Sequence, residues 1–183
     1  AGTAQASHQA DWVAGKRCGQ FGISYYNNAL KLGFDAEQKV WPEWLSTLDV
    51  PQHLLPQVVA PGTSIGNLKK DLVNRFGFSD STRIIAGTTD STASFMATGA
   101  HQAGEAVTAL GSTLVVKVIA AQPIFAAEYG VYSQPLMVGG QQRWLVGGAS
   151  NSGGAVLRQH FSDAQLQTLT TQPKPDQPSG LDY

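Results

Sequence analysis

The sequence predicts an α/β protein. Over the first hundred residues short apolar runs alternate with helix-compatible segments. Beyond them the pattern changes to strands, and glycine or proline punctuates most of the joins. With 183 residues, 42% of them hydrophobic, the chain can bury a core of its own and corresponds to one domain or parts of two.

A first helix is expected from Ser7 to about Lys16, capped by Ser7, with Ala10, Val13 and Ala14 on its inner face. Ser24 to Gly33 reads as a turn entering one helical turn closed by Gly33. Pro42 to Leu45 suits a helix start, with proline first and Trp44 as its buried anchor. Val58-Val59-Ala60 is extended, Pro61-Gly62 turns, and an amphipathic helix runs from Leu68 to Phe76, where Gly77 stops it. Arg83 to Ala86 is the next strand and Ser91 to Ala100 the next helix. The composition change at Gly99 to Gly104 marks a domain boundary.

Beyond that boundary, Ala106 to Leu110 and Thr113 to Ile119 flank Gly111-Ser112, a two-residue connection that favours a type II′ hairpin. Tyr129 to Tyr132 and Trp144 to Val146 are further strand candidates. The glycine-rich run Gly147 to Gly154 reads as a loop, followed by a helix from Ala155 to about Phe161. The last dozen residues, with Pro173, Pro175 and Pro178, read as loop, and both ends of the sequence look like cuts in a longer chain.

Charge narrows the function classes. Twelve basic and 13 acidic residues are scattered along the chain, giving a formal net charge of -1, so no basic stripe is offered to nucleic acid. No apolar run is long enough to span a bilayer. The lone Cys18 cannot close an internal disulfide, and the four histidines have no metal-ligand spacing, which argues against a zinc site. The expectation is a soluble protein of a reducing compartment, the cytoplasm or, in a plant, the plastid.

Asp90 stands at a strand-to-helix junction, where open α/β folds present side chains to a ligand crevice. Two readings stand side by side: a chemical carboxylate, or a helix cap accepting a backbone N–H. Thr88, Thr89, Ser91 and Thr92 around it are equally ligands or turn residues. Gly111-Ser112-Thr113 at a hairpin tip can present N–H groups and two hydroxyls to a phosphate. Gly147 to Gly154 suits either a loop at a nucleotide or close packing. Trp12, Trp41, Trp44, Tyr25 and Tyr26 offer stacking faces, or form local core. Gly62-Thr63-Ser64-Ile65-Gly66 matches the pattern of a hydrolase nucleophile elbow, with Asp80 or Asp90 and then His101 or His160 downstream. Its context argues against it: Pro61 ends the preceding run, and the helix waits until Asn67 or Leu68.

In order, these pieces resemble the FGGY family of carbohydrate kinases, most closely its plant and cyanobacterial ribulose/xylulose kinase-like branch. The resemblance is carried by Ala10-Asp11-Trp12 with Gly15, Asn27 to Gly33, Leu55-Pro56 through Pro61-Gly62-Thr63 to Gly66, Ala86 to Ser91, Leu110 to Thr113, and Gly147 to Gly154. It implies an actin-like, ribonuclease-H-like ATPase fold in partial form, spanning the junction of two lobes. Residues 1–100 would close the sugar-binding lobe and 104–183 would begin the nucleotide-binding lobe.

The implied activity is transfer of the γ-phosphate of ATP, with Mg2+, to a hydroxyl of a ketopentose, D-ribulose before D-xylulose. By resemblance Asp90 is the base and, with Thr89, touches the sugar. Gly111, Ser112 and Thr113 form a phosphate loop, and Gly147, Gly148 and Asn151 belong to the nucleotide side. The family's N-terminal Asp-x-Gly-Thr phosphate loop and the C-terminal part of its adenine pocket have no counterpart here, so the chain is expected to need the remaining segments of the same kinase for turnover. Tyr25 stands where relatives usually have aspartate, which bears on sugar specificity. Neither nucleic acid nor membrane is an implied partner.

Overall fold

A computed structural model of the chain describes residues 5–172, 176–178 and 180. Helix α1 (Gln9–Cys18) starts two residues beyond Ser7, with His8 in the cap position, because the Asp11 carboxylate turns back to accept the His8 N–H at 3.3 Å. Its inner face is also not the expected one. Asp11 and Gly15 are buried while Val13 is exposed. Asn28 donates to Asp11 Oδ1 at 3.3 Å, so a polar contact replaces the apolar stripe.

Strand β1 (Ile23–Tyr25) runs into α2 (Tyr26–Ala29) and a 3₁₀ turn (Leu30–Leu32), closed by Gly33 at φ 95. The segment after Pro42 is a 3₁₀ helix (Glu43–Leu48). Leu45, not Trp44, is its buried anchor, since the tighter winding leaves Trp44 51% exposed. A short 3₁₀ turn (Gln52–Leu54) leads to β2 (Gln57–Val59), which pairs in parallel with β1. Strand β3 (Ser64–Asn67) pairs antiparallel with β4 (Arg83–Ile85) through a bulge at Ser64–Gly66, and α3 (Lys70–Phe76) connects them, ended by Gly77 at φ 70. Helix α4 (Asp90–Met96) is shorter than expected, and Ala97 to Glu105 is a loop. In that loop the Glu105 carboxylate accepts the N–H groups of His101 at 2.6 Å and Gln102 at 2.8 Å, bonds that hold its carboxyl below the ordinary range.

The remaining strands, β5 (Ala106–Leu110), β6 (Leu114–Ala120), β7 (Tyr132–Val138) and β8 (Gln141–Ser150), form one antiparallel sheet in the order β5-β6-β8-β7. β7 begins where the expected strand ended. Pro135 breaks the sequence signal for a strand, yet β7 is an edge strand, where a missing N–H is tolerated. A 3₁₀ turn (Ala127–Tyr129) precedes it. β8 extends through Gly147 and Gly148 to Ser150, so the glycine run is half strand.

After β8 the chain makes a 3₁₀ turn (Gly154–Val156), α5 (Leu157–His160) and α6 (Asp163–Leu169). Helix α6 was not expected. Its signal is the Ser162–Gln165 pair, in which Gln165 Oε1 accepts the Ser162 N–H at 2.9 Å. Of the proline-rich loop expected at the end, Pro173 and Pro175 lie outside the described residues, and Pro178 has no regular structure.

Two buried clusters hold these pieces together. Tyr26, Ala29, Phe34 and Ala36 pack with Trp144 and Val146 of β8. Phe95 of α4 packs with Ile119, Leu136 and Leu145 of the sheet. Fully burying side chains of this size contributes about 1.5–3 kcal/mol each, and the second cluster lays α4 across the four-stranded sheet. That placement sets the position of Asp90.

Candidate functional site

The Asp90 carboxylate, the first helical residue of α4, lines a cleft of about 540 Å³. One wall is α4. The other is the face of the β5–β6 hairpin that carries Thr113, Val115 and Lys117. Gly111 and Thr113 line the same cleft, so the fold brings the carboxylate and the hairpin tip together from positions more than twenty residues apart.

Thr89, not Asp90, occupies the cap position of α4. Asp90 Oδ1 accepts the N–H of the next residue, Ser91, at 2.7 Å, which leaves Oδ2 uncommitted among the described residues. Asp90 is exposed and lines the cleft. Thr89, expected as a sugar contact, sits back from the cleft wall. Its side chain is 8% exposed, its hydroxyl meets Thr92 Oγ1 at 3.0 Å, and it does not line the cleft. Thr88 lines a separate cavity of about 270 Å³ with Asn27, where Thr88 Oγ1 and Asn27 Oδ1 are buried with no hydrogen-bond partner among the described residues.

The hairpin tip is a three-residue connection, Gly111 to Thr113, closed by the Leu110–Leu114 pair. The two-residue type II′ turn is corrected, since Gly111 does not have the positive φ that turn requires. The reason is tertiary: the carbonyls of Gly111 and Ser112 accept the N–H groups of Gly154 at 2.8 Å and Ala155 at 3.2 Å. Gly153 permits this approach, because a Cβ there would lie 2.5 Å from the carbonyl carbon of Thr113 and 2.6 Å from Leu114 N. The glycine run thus seats the hairpin. The N–H groups of Ser112 and Thr113 have no backbone acceptor among the described residues, an arrangement that fits a phosphate.

Gly147, Gly148 and Asn151 do not line the cleft. Gly147 is a β8 residue whose missing side chain admits the Val116 carbonyl of β6, and Gly148 similarly admits the Gly130 carbonyl. At both positions a Cβ would meet backbone, which fits the close-packing alternative. Asn151 follows the end of β8, exposed. Ser64 is the first residue of β3 and precedes no helix, so the elbow geometry is absent there. Of the aromatic candidates, Tyr26 and Trp41 belong to the first buried cluster, and Trp12 and Trp44 are exposed.

Sequence reasoning missed Lys117. Its signal was a single cation in the apolar run Leu114 to Ile119. It is 6% exposed, and its ammonium donates to Ser91 Oγ at 3.0 Å and Gln134 Oε1 at 3.4 Å. Burial pushes its pKa below the ordinary lysine value, and the Asp90 charge opposes that shift. Across the chain, burial and then the Asp11 charge push the Tyr25 phenol up, against a lowering hydrogen bond with Asn28.

Among the described residues no group of three His, Cys, Asp or Glu could hold a metal ion. Asp90 is the one carboxylate among the described residues that line this cleft. Among the described residues no helix is long and apolar enough to cross a membrane.

No protein-family model matches the chain. Solved structures of carbohydrate kinases do. Ligand-bound xylulose kinase from Lactobacillus acidophilus superposes with a TM-score of 0.74 at 21% identity, over 89% of this chain and 34% of that one. Xylulose kinase from Rhodospirillum rubrum gives 0.76 at 18%, over 92% and 35%. Plasmodium falciparum glycerol kinase with ADP gives 0.70 at 14%, over 83% and 31%. The chain spans about a third of the length of these proteins. The fold is the actin-like ATPase fold in partial form, shared with about a third of each of these kinases.

Proposed function

We propose that the chain is the central part of an ATP-dependent sugar kinase with Asp90 as general base. The observation that carries this reading is the single cleft that joins the Asp90 carboxylate to the Gly111–Thr113 tip, in a fold shared with sugar kinases. In this reading residues 1–100 belong to the sugar-side lobe and 104–183 to the nucleotide-side lobe. The acceptor is a ketopentose, and the preference for D-ribulose over D-xylulose follows the sequence resemblance to the plant and cyanobacterial branch.

The chemistry asks little of the protein beyond placement and charge. The acceptor hydroxyl gives its proton to the Asp90 carboxylate at Oδ2, the oxygen left free by the Ser91 contact. That hydroxyl oxygen forms a bond to the terminal phosphorus as the bond from phosphorus to the leaving ADP oxygen breaks, and its electron pair goes with ADP. The uncommitted N–H groups of Ser112 and Thr113 would hold phosphate oxygens in register.

The experiment is ADP release by the complete kinase chain that carries this segment, across a panel of ketopentoses and polyols. Sugar-dependent release, highest with D-ribulose, is the expected result. Tight sugar or nucleotide binding with no release from any acceptor would replace this reading by a non-catalytic binding role.

A further inference from the structure

We propose that Lys117 is the cation of the Asp90 cleft, its ammonium group facing the phosphoryl group in transit and stabilising the charge that develops there. The inference rests on the kinase reading above and adds to it a residue from the middle of a strand.

The placement follows from two periodicities. Lys117 and Ile119 are two apart on β6 and share a face; Ser91 and Phe95 are four apart on α4 and share a face. Four helical residues rise about 6 Å and two strand residues about 6.6 Å, so the two elements run in step. Phe95 and Ile119 meet in the core, and Ser91 meets Lys117 at the mouth of the cleft.

An ammonium has three N–H donors, and here two neutral oxygens, on Ser91 and Gln134, take two of them. The ion pairs among the described residues, Lys70–Asp80 and Arg158–Asp163, lie elsewhere, and no carboxylate of the described residues comes within 4 Å of the Lys117 ammonium. A buried cation with only neutral partners weakens a fold. Among the described residues of the cleft wall it is the one cation, on the strand that leads from Thr113 at the tip toward the start of α4. Phosphoryl transfer places charge on the equatorial oxygens of the group in flight, and a cation already fixed in a low-dielectric wall stabilises it without reorganising.

The test compares Lys117→Met, Lys117→Arg and Asp90→Asn with the wild type in the complete kinase chain. Lys117→Met is expected to lower kcat by about 10²–10³-fold, the loss seen when one preorganised charge-stabilising donor is removed. KM for the sugar should stay within a few-fold, and Tm should hold or rise, since Gln134 Oε1 keeps its Thr92 hydroxyl partner at 3.2 Å. Lys117→Arg should recover part of kcat. If Lys117→Met keeps more than about a tenth of wild-type kcat while Asp90→Asn has lost turnover, the role of Lys117 is overturned and the kinase reading stands. If both variants keep turnover, the role of Lys117 and the assignment of Asp90 as base both fall while the kinase activity stands; if the wild type releases no ADP with any sugar, the kinase reading itself falls.

A second measurement needs neither turnover nor a variant, and it decides the matter should Lys117→Met fail to fold. The Lys117 side-chain resonances of the wild-type protein are followed by NMR during titration with inorganic phosphate. A saturable shift is expected; resonances that move no more than with chloride at equal ionic strength overturn the proposal.

Discussion

Substituting Asp90 by asparagine separates chemistry from local structure, because the two roles of this residue use different oxygens. Oδ1 accepts the Ser91 N–H at 2.7 Å, and the asparagine amide oxygen accepts it equally well. Thr89 holds the cap position, so no cap is lost. What the fold loses is one negative charge in the first turn of α4, worth about 0.3–1 kcal/mol at an exposed helix N-terminus. For a protein near this size that lowers Tm by about 1–4 °C. The reaction loses its proton acceptor. A positioned base contributes about 10²–10⁴-fold, which corresponds to about 2.7–5.4 kcal/mol of barrier.

The chemical effect therefore exceeds the structural one several-fold. The assay is single-turnover phosphoryl transfer by the complete kinase at saturating sugar and ATP, with Tm read on the same preparation. KM values should move far less than the rate, since hydrogen bonds from the sugar can still reach the amide. A variant that keeps more than about a tenth of the wild-type rate refutes the base assignment. A fall in Tm much beyond a few degrees refutes the account of the Ser91 contact.

Gly153→Ala should cost more than Gly111→Ala, reversing the order the hairpin sequence suggests: the added Cβ meets the Thr113 backbone at 2.5 Å in one case and only Thr113 O at 3.6 Å in the other. Thermal melts and the KM for ATP check this, and equal effects would show that Gly153 does not seat the tip. Phe95→Ala should destabilise by about 3–5 kcal/mol and loosen α4 from the sheet, since Phe95 is 3% exposed in the second cluster; denaturant titration giving less than about 1 kcal/mol would contradict that packing. Thr88→Val should be neutral or stabilising, because it removes a buried hydroxyl with no partner among the described residues, and a clear loss in Tm would show that the hydroxyl is used. Lys117 is held below its unfolded value of about 10.5. Between the two values the unfolded chain binds the extra proton, so stability should rise with pH in that window. Tyr25 is shifted upward and works in the opposite sense, so the difference between wild type and Lys117→Met, not the wild-type curve alone, is the quantity to measure.

Local chemistry placed much of this fold in the sequence. Gly33 and Gly77 end their helical segments at positive φ, and the strand Arg83–Ile85 leads to a helix that begins at Asp90, because such signals act over a few residues and need no distant partner. Asp90 was visible as a candidate for the same reason, and Gly111 and Thr113 as its distant companions through family resemblance. Tertiary structure decided what those residues touch. The choice of Leu45 over Trp44 as anchor, and the strand course of β7 through Pro135, depend on which side of an element meets the core or an edge. The glycine run looked like a ligand loop because glycine leaves the same mark in a sequence whether it admits a phosphate or a neighbouring backbone. Here Gly147 and Gly153 admit backbone. Lys117 stayed hidden because a lysine in a strand ordinarily points to solvent, and only the docking of α4 through Phe95, 24 residues earlier in the chain than Ile119, buries this one beside Ser91.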